Sequence, residues 1–194
     1  MRSPFDRRWL VVLATPALAW VVGLVALPHP RGVAAEQAGF DRSTVSDIVS
    51  ATPTLPQKKA DTTFGGIIQL RGVDLPDVAL SRGARLAITL HFAPVAVIDG
   101  DWQVFVHIDA QGSTSSRINA DHWPGGGRYR TGLWQVGEHI RDRFEQTIPR
   151  GAPAGVYDVW VGFYRGETRL PVTSGDRGVV DADNRVKVGT IDVE

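Results

Sequence analysis

From Phe64 to the carboxyl end, apolar and polar residues alternate with a period of two over short runs. The runs at 67–73, 85–92, 102–109, 113–119, 139–148, 156–165, 169–172 and 185–193 each predict a β-strand, because alternate side chains of a strand point to opposite faces. Clusters of Gly, Pro, Asp and Asn separate them at the spacing of an antiparallel sandwich. In 102–109, Trp102, Val104, Val106 and Ile108 share one face, while Gln103, Phe105, His107 and Asp109 share the other. In 156–165, Tyr157, Val159, Val161 and Phe163 oppose Asp158, Trp160, Gly162 and Tyr164. Ile140, Phe144 and Ile148 share their face with Asp142. The pattern predicts an all-β fold: an antiparallel β-sandwich, immunoglobulin-like or jelly-roll-like, over residues 63–194.

The amino-terminal pattern is different. Residues 9–27 are apolar without alternation or charge, close to the roughly 20 residues that a helix needs to cross a bilayer. Arg2, Arg7 and Arg8 precede the run, which predicts a cytoplasmic amino terminus and a translocated remainder. Two readings stand for residues 1–35: an uncleaved signal anchor, or a signal peptide cut near Ala35 after the small residues Val33 and Ala34. Both put the sandwich on the extracytoplasmic, periplasmic side of a bacterial inner membrane. Residues 36–62 are rich in Ser, Thr, Ala, Asp, Gln, Lys and Pro, with Pro53 and Pro56 in their second half. They read as a flexible tether, with at most a short helix over 43–50 capped by Ser43 or Thr44.

Composition narrows the chemistry. The 21 acidic residues balance 21 Lys and Arg. Arg2, Arg7, Arg8 and Arg31 lie before residue 36 against Asp6 alone, so the sandwich is slightly acidic and no nucleic-acid partner is expected. The absence of cysteine excludes disulfides, thiolate metal sites and a lipid anchor on cysteine. Frequent Gly and Pro suit many short strands joined by turns.

Residues 102–172 also carry a familiar series: Val104-Phe105-Val106-His107, Ala120-Asp121, Gly126-Gly127-Arg128-Tyr129, Thr131 and Trp134. It continues with Gly137-Glu138, Arg141-Asp142-Arg143, Pro149, Pro153, Gly155-Val156-Tyr157, Val161-Gly162-Phe163-Tyr164 and Arg169-Leu170-Pro171-Val172. In this order the residues resemble the extracytoplasmic C-terminal β-sandwich of bacterial multi-span glycosyltransferases of the dolichyl-phosphate-mannose mannosyltransferase-like type. Residues 65–75 resemble that family's first strand. In those enzymes the sandwich is an accessory and the chemistry belongs to the multi-span part. The resemblance therefore implies a stand-alone, single-anchor copy of an accessory domain, not a transferase. Two departures stand out: Arg130 replaces the family's usual Pro between Tyr129 and Thr131, and Trp160 occupies a position that is usually polar or basic.

The loop 119–138 gathers His122, Trp123, three consecutive glycines, Arg128, Tyr129, Trp134 and Glu138. Loops on a rigid scaffold are where binding residues concentrate, and aromatic faces with charged neighbours suit a sugar. The other reading is that Trp123, Tyr129 and Trp134 fold back to cap the core. Trp160 and Tyr164 flank Gly162 on a non-core face and form a second aromatic platform, unless the tether, the 119–138 loop or Phe105 covers it. Asp142, on an apolar face, reads as a buried structural carboxylate paired with Arg128, Arg141 or His107, since an unpaired buried charge is costly. His107 is assigned the same structural role.

His107, Asp121, His122, Glu138, His139 and Asp142 show no metal-ligand spacing, so neither metal nor cofactor is expected. Asp121 and Glu138 could be drawn as a catalytic carboxylate pair, but no nucleophile motif accompanies them, and no catalysis is expected. The sequence therefore predicts a membrane-tethered binding or accessory domain that recognises a cell-envelope glycan or glycolipid. The alternative is a non-catalytic subunit that docks a membrane glycosyltransferase or another envelope protein.

Overall fold

A computed structural model describes residues 36–113, 116–175 and 179–194; the apolar run and its flanking motif lie outside them. The strands are β1 (Val49–Ser50), β2 (Lys58–Phe64), β3 (Ile68–Asp74), β4 (Arg85–Pro94), β5 (Gln103–Ala110), β6 (Arg117–Asn119), β7 (His139–Thr147), β8 (Gly155–Arg165), β9 (Thr168–Arg169), β10 (Val172–Ser174) and β11 (Val186–Val193). They form two antiparallel sheets. The first runs β1-β7-β4-β3-β2-β10 and the second β11-β8-β5-β6, with β9 on the end of β8. Among the described residues no helix is long and apolar enough to cross a membrane.

The alternation in the sequence becomes the two-layer core. Leu86, Ile88, Leu90 and Phe92 of β4 face inward from the first sheet. Val104, Val106 and Ile108 of β5, and Tyr157, Val159, Val161 and Phe163 of β8, face them from the second. Phe163 meets Phe64 and Phe92 at centroid distances of 5.3 and 5.1 Å, both edge-on. Each such side chain contributes about 1.5–3 kcal/mol relative to leaving it in water.

Two expectations change. Residues 36–62 are built into the sandwich rather than hanging from it. Val45 and Ile48 are buried, β1 pairs with β7, and most of β2 lies in this stretch. Pro56 packs against β3 at Gly72, next to a bulge between Leu70 and Gly72; a Cβ on Gly72 would lie 2.3 Å from the Lys58 carbonyl and 2.4 Å from Pro56. The run at 169–172 is not one strand. β9 belongs to the second sheet and β10 to the first, so the chain changes layers at Leu170 and Pro171. Pro171 has no N–H for a ladder, and its carbonyl instead accepts from Gly65 N–H at 2.7 Å.

Candidate functional site

The glycine run forms a tight turn, with Gly125, Gly126 and Gly127 at φ of 60°, 63° and 80°. Only glycine adopts this left-handed backbone in succession without strain. Asp142 fixes the turn from inside: its Oδ1 accepts from Gly125 N–H and its Oδ2 from His122 Nε2, both at 2.8 Å. The other imidazole nitrogen, Nδ1, lies 2.8 Å from the Ala120 carbonyl, which can only accept, so Nδ1 carries a proton. Burial alone would lower the His122 pKa, but the hydrogen bond and charge of Asp142 outweigh it and hold the pKa above its ordinary value. Asp142 is therefore a fully buried carboxylate, but its partner is His122 rather than Arg128, Arg141 or His107. Arg141 points outward from β7, Arg128 turns to Asp47, and His107 lies in the other sheet.

Tyr129 and Trp134 are not a binding surface. They are 0% and 1% exposed, and they cap the core as the alternative reading of the loop held. The Trp134 indole donates to the Tyr129 carbonyl at 3.0 Å. The Tyr129 hydroxyl donates to Glu138 at 2.5 Å, and burial together with Glu138 raises its pKa well above the ordinary value. Glu138 also takes Arg42 Nε at 2.7 Å and Gln135 N–H at 2.8 Å. Arg42 reaches the Leu133 carbonyl as well, at 3.1 Å. This network binds the entering chain to the 129–138 loop. Arg130 bridges Asp101 at 2.6 Å and Glu36 at 3.3 Å. Trp123 is 40% exposed and stands beside Gly127.

The outer face of the second sheet is closed over itself. Phe105 lies across Gly162, where a Cβ would come within 2.1 Å of its ring. Arg169 covers Phe105 at 4.9 Å, and Arg185 covers Trp160 at 4.8 Å. Trp160 and Tyr164 are each half-buried, so no bare platform exists there. Arg185 also pairs with Asp109 at 2.8 Å and Asp181 at 2.6 Å, while Arg117 holds Asp109 and Lys187 holds Asp158. His107 stacks on Phe105 at 4.9 Å, and burial with the nearby Arg117 lowers its pKa. Asp121 accepts from Val106 N–H, and Glu138 is engaged by Arg42 and Tyr129, so the two carboxylates serve different partners. Among the described residues no three His, Asp or Glu side chains converge as metal donors.

The open site lies on the first sheet. A groove of about 640 Å³ runs between the glycine turn and β7. Asp47 and Ile48 form one wall, Gly125, Gly126 and Arg128 another, and Arg141, Arg143, Phe144 and Glu145 the strand side. It exists because β1 is only two residues long. The ladder on that side of β7 ends where Arg141 N–H donates to the Ile48 carbonyl at 2.7 Å, and the rest of the edge is left to the groove. Phe144 lies against His122 at 4.2 Å. The sequence marks Arg128 as a ligand-site residue, but offers Arg141 only as a partner for Asp142 and gives Arg143 no site role. Their signal is two arginines flanking a buried acid, at strand spacing.

A two-sheet antiparallel sandwich with an open polar groove is compatible with an accessory or binding domain. No protein-family model and no curated protein matches the chain. Two solved structures are similar in fold. A CARDB domain from Pyrococcus furiosus, in complex with di-metal ions, is 14% identical over 75% of this chain and 97% of that one, with a TM-score of 0.36. A Niemann-Pick type C2 protein from the Japanese carpenter ant is 6% identical over 74% of this chain and 100% of that one, with a TM-score of 0.41. No ligand or site residue is carried over from either.

Proposed function

We propose that the chain is a membrane-tethered, extracytoplasmic accessory domain that binds a cell-envelope glycan or glycolipid head group in the groove along β7. The observation that carries this reading is the groove itself, with apolar Ile48 and Phe144 among arginines beside the glycine turn. Ligand sites combine an apolar lining with a few placed polar groups in this way. Exposed Trp123, at the shoulder of the turn, offers a further sugar-stacking face. The resemblance of residues 102–172 to a glycosyltransferase accessory sandwich supports the same reading. The test is a titration of the full chain in neutral detergent with a panel of envelope oligosaccharides, following tryptophan fluorescence and heat together. Saturable binding that weakens in Trp123→Ala supports the proposal; flat titrations with folded protein would sink it.

One observation favours the second reading, a docking subunit. Beyond Arg141 the free edge of β7 could accept a strand from a partner. A photo-crosslinker at Glu145 in the native membrane would then capture a single protein, and replacing residues 9–27 with an unrelated anchor would weaken that capture if the run contributes.

A further inference from the structure

The charges of the groove do not cancel. Asp47 is neutralised by Arg128, whose two terminal nitrogens reach its carboxylate at 2.6 and 3.2 Å. Glu145 is neutralised by Arg85 at 3.1 Å. Asp74, on β3, is held by His91 Nε2 and by Gln57 N–H, both at 2.8 Å. Arg141 and Arg143 alternate on the outward side of β7, exposed, and neither has a carboxylate within ion-pair distance among the described residues. Two positive charges are thus left over at one side of a cavity.

The backbone adds to them. Alternate N–H groups of a strand point to the same edge. Since Arg141 N–H points away from β4 to Ile48, the N–H of Arg143 points the same way, into the groove beyond the end of β1. Guanidinium groups match phosphate oxygens in a fork geometry and stay charged at any physiological pH. A phosphate monoester or a diphosphate brings about two negative charges at neutral pH, whereas a uronic acid brings one.

On the reading of the groove as a glycan site, we infer that its ligand is a phosphorylated sugar. Arg141, Arg143 and the Arg143 N–H take the phosphate, and Ile48 and Phe144 take the C–H face of the ring. Phosphate on a free sugar and phosphate in a lipid-linked head group present the same chemistry to these residues.

The experiment titrates the full chain in neutral detergent micelles with glucose 1-phosphate, glucuronate and glucose, and separately with micelles doped with phosphatidic acid. The expected result is saturable binding of glucose 1-phosphate that falls on the order of tenfold for each of Arg141→Gln and Arg143→Gln and weakens with salt. The unfolding midpoint of each variant is measured alongside to show that the fold is kept. Loss of the same size in the doped micelles would assign the phosphate to a lipid; no response there would assign it to a free or polymeric sugar. Glucose or glucuronate binding as tightly as glucose 1-phosphate would overturn the phosphate inference and leave the glycan reading standing. A groove that binds none of the three sugars, with the midpoint unchanged, would overturn both.

Discussion

The two outer faces of this sandwich carry similar residues and reach opposite states. On the second sheet, each aromatic ring that the sequence exposes is covered by an arginine or a neighbouring ring, and the cations are neutralised in turn, Arg185 by Asp109 and Asp181, Arg169 by Asp183 and Lys187 by Asp158. On the first sheet, beside β7, two arginines have no acid within ion-pair distance among the described residues. Outward aromatic residues are therefore a poor guide to a site, because cations on adjacent strands can close over them. Leftover charge beside a truncated strand is a better one. Such charge is maintained at the cost of like-charge repulsion and gains nothing from the fold.

The contrast can be broken most forcefully from inside the groove wall. His122→Ala leaves Asp142 buried with only the Gly125 N–H, and should cost about 3–5 kcal/mol, read from urea unfolding. The same pair sets a pH dependence. Because the His122 pKa is raised in the fold, its stabilisation is fully present below the ordinary value near 6.5. It is lost as the pH rises through the raised folded value, so unfolding midpoints should fall across that interval in the parent and not in His122→Ala.

Gly125→Ala comes next, at about 2–3 kcal/mol. The new Cβ takes a left-handed backbone and meets Ile48 at 2.8 Å. Gly126→Ala, with open space around it, should lose only the backbone part, about 1–2 kcal/mol. Arg185→Ala on the closed face should cost about 2 kcal/mol, by releasing Asp109, Asp181 and Trp160, and should leave ligand titrations unchanged. Arg143→Gln should be the mirror image: a midpoint within about 0.5 kcal/mol of the parent but a loss of binding. If Arg143→Gln destabilised the fold as much as Arg185→Ala, the distinction between the faces would fail.

The core strands were legible because period-two alternation is a direct image of a half-buried sheet. The runs at 85–92, 102–109, 139–148 and 156–165 reappear as β4, β5, β7 and β8 within a few residues. β2 was missed because its inward residues are Ala60, Thr62 and Phe64, too weakly apolar to stand out among lysines and threonines. The short helix expected over 43–50 is a single 3-10 turn, Arg42–Val45, capped by Asp41 rather than by Ser43 or Thr44, and with one buried residue, Val45, it leaves little periodic trace. In the loop, composition does not separate inside from outside. Tyr129 and Trp134 look like Trp123 in sequence, and only the packing of Phe40 at 5.4 Å from Tyr129 and of Phe92 at 5.8 Å from Trp134 separates them. Neither Arg141 nor Arg143 reads as a ligand-binding residue in the sequence, because an exposed arginine on a strand is ordinary. They matter only once β1 is seen to stop short of them.

The clamp of Arg42 onto Glu138 and the Leu133 carbonyl has a mechanical meaning. Asp47 and Ile48, which wall the groove, lie a few residues downstream of it on the same strand of chain. Tension arriving from the amino-terminal side meets the contacts of Glu36 and Gln37 with the 130–134 loop and then the Arg42 clamp, and passes through Glu138 and Tyr129 into the sandwich. The groove wall beyond stays slack. A pull on the amino-terminal side can thus be borne without the groove being opened.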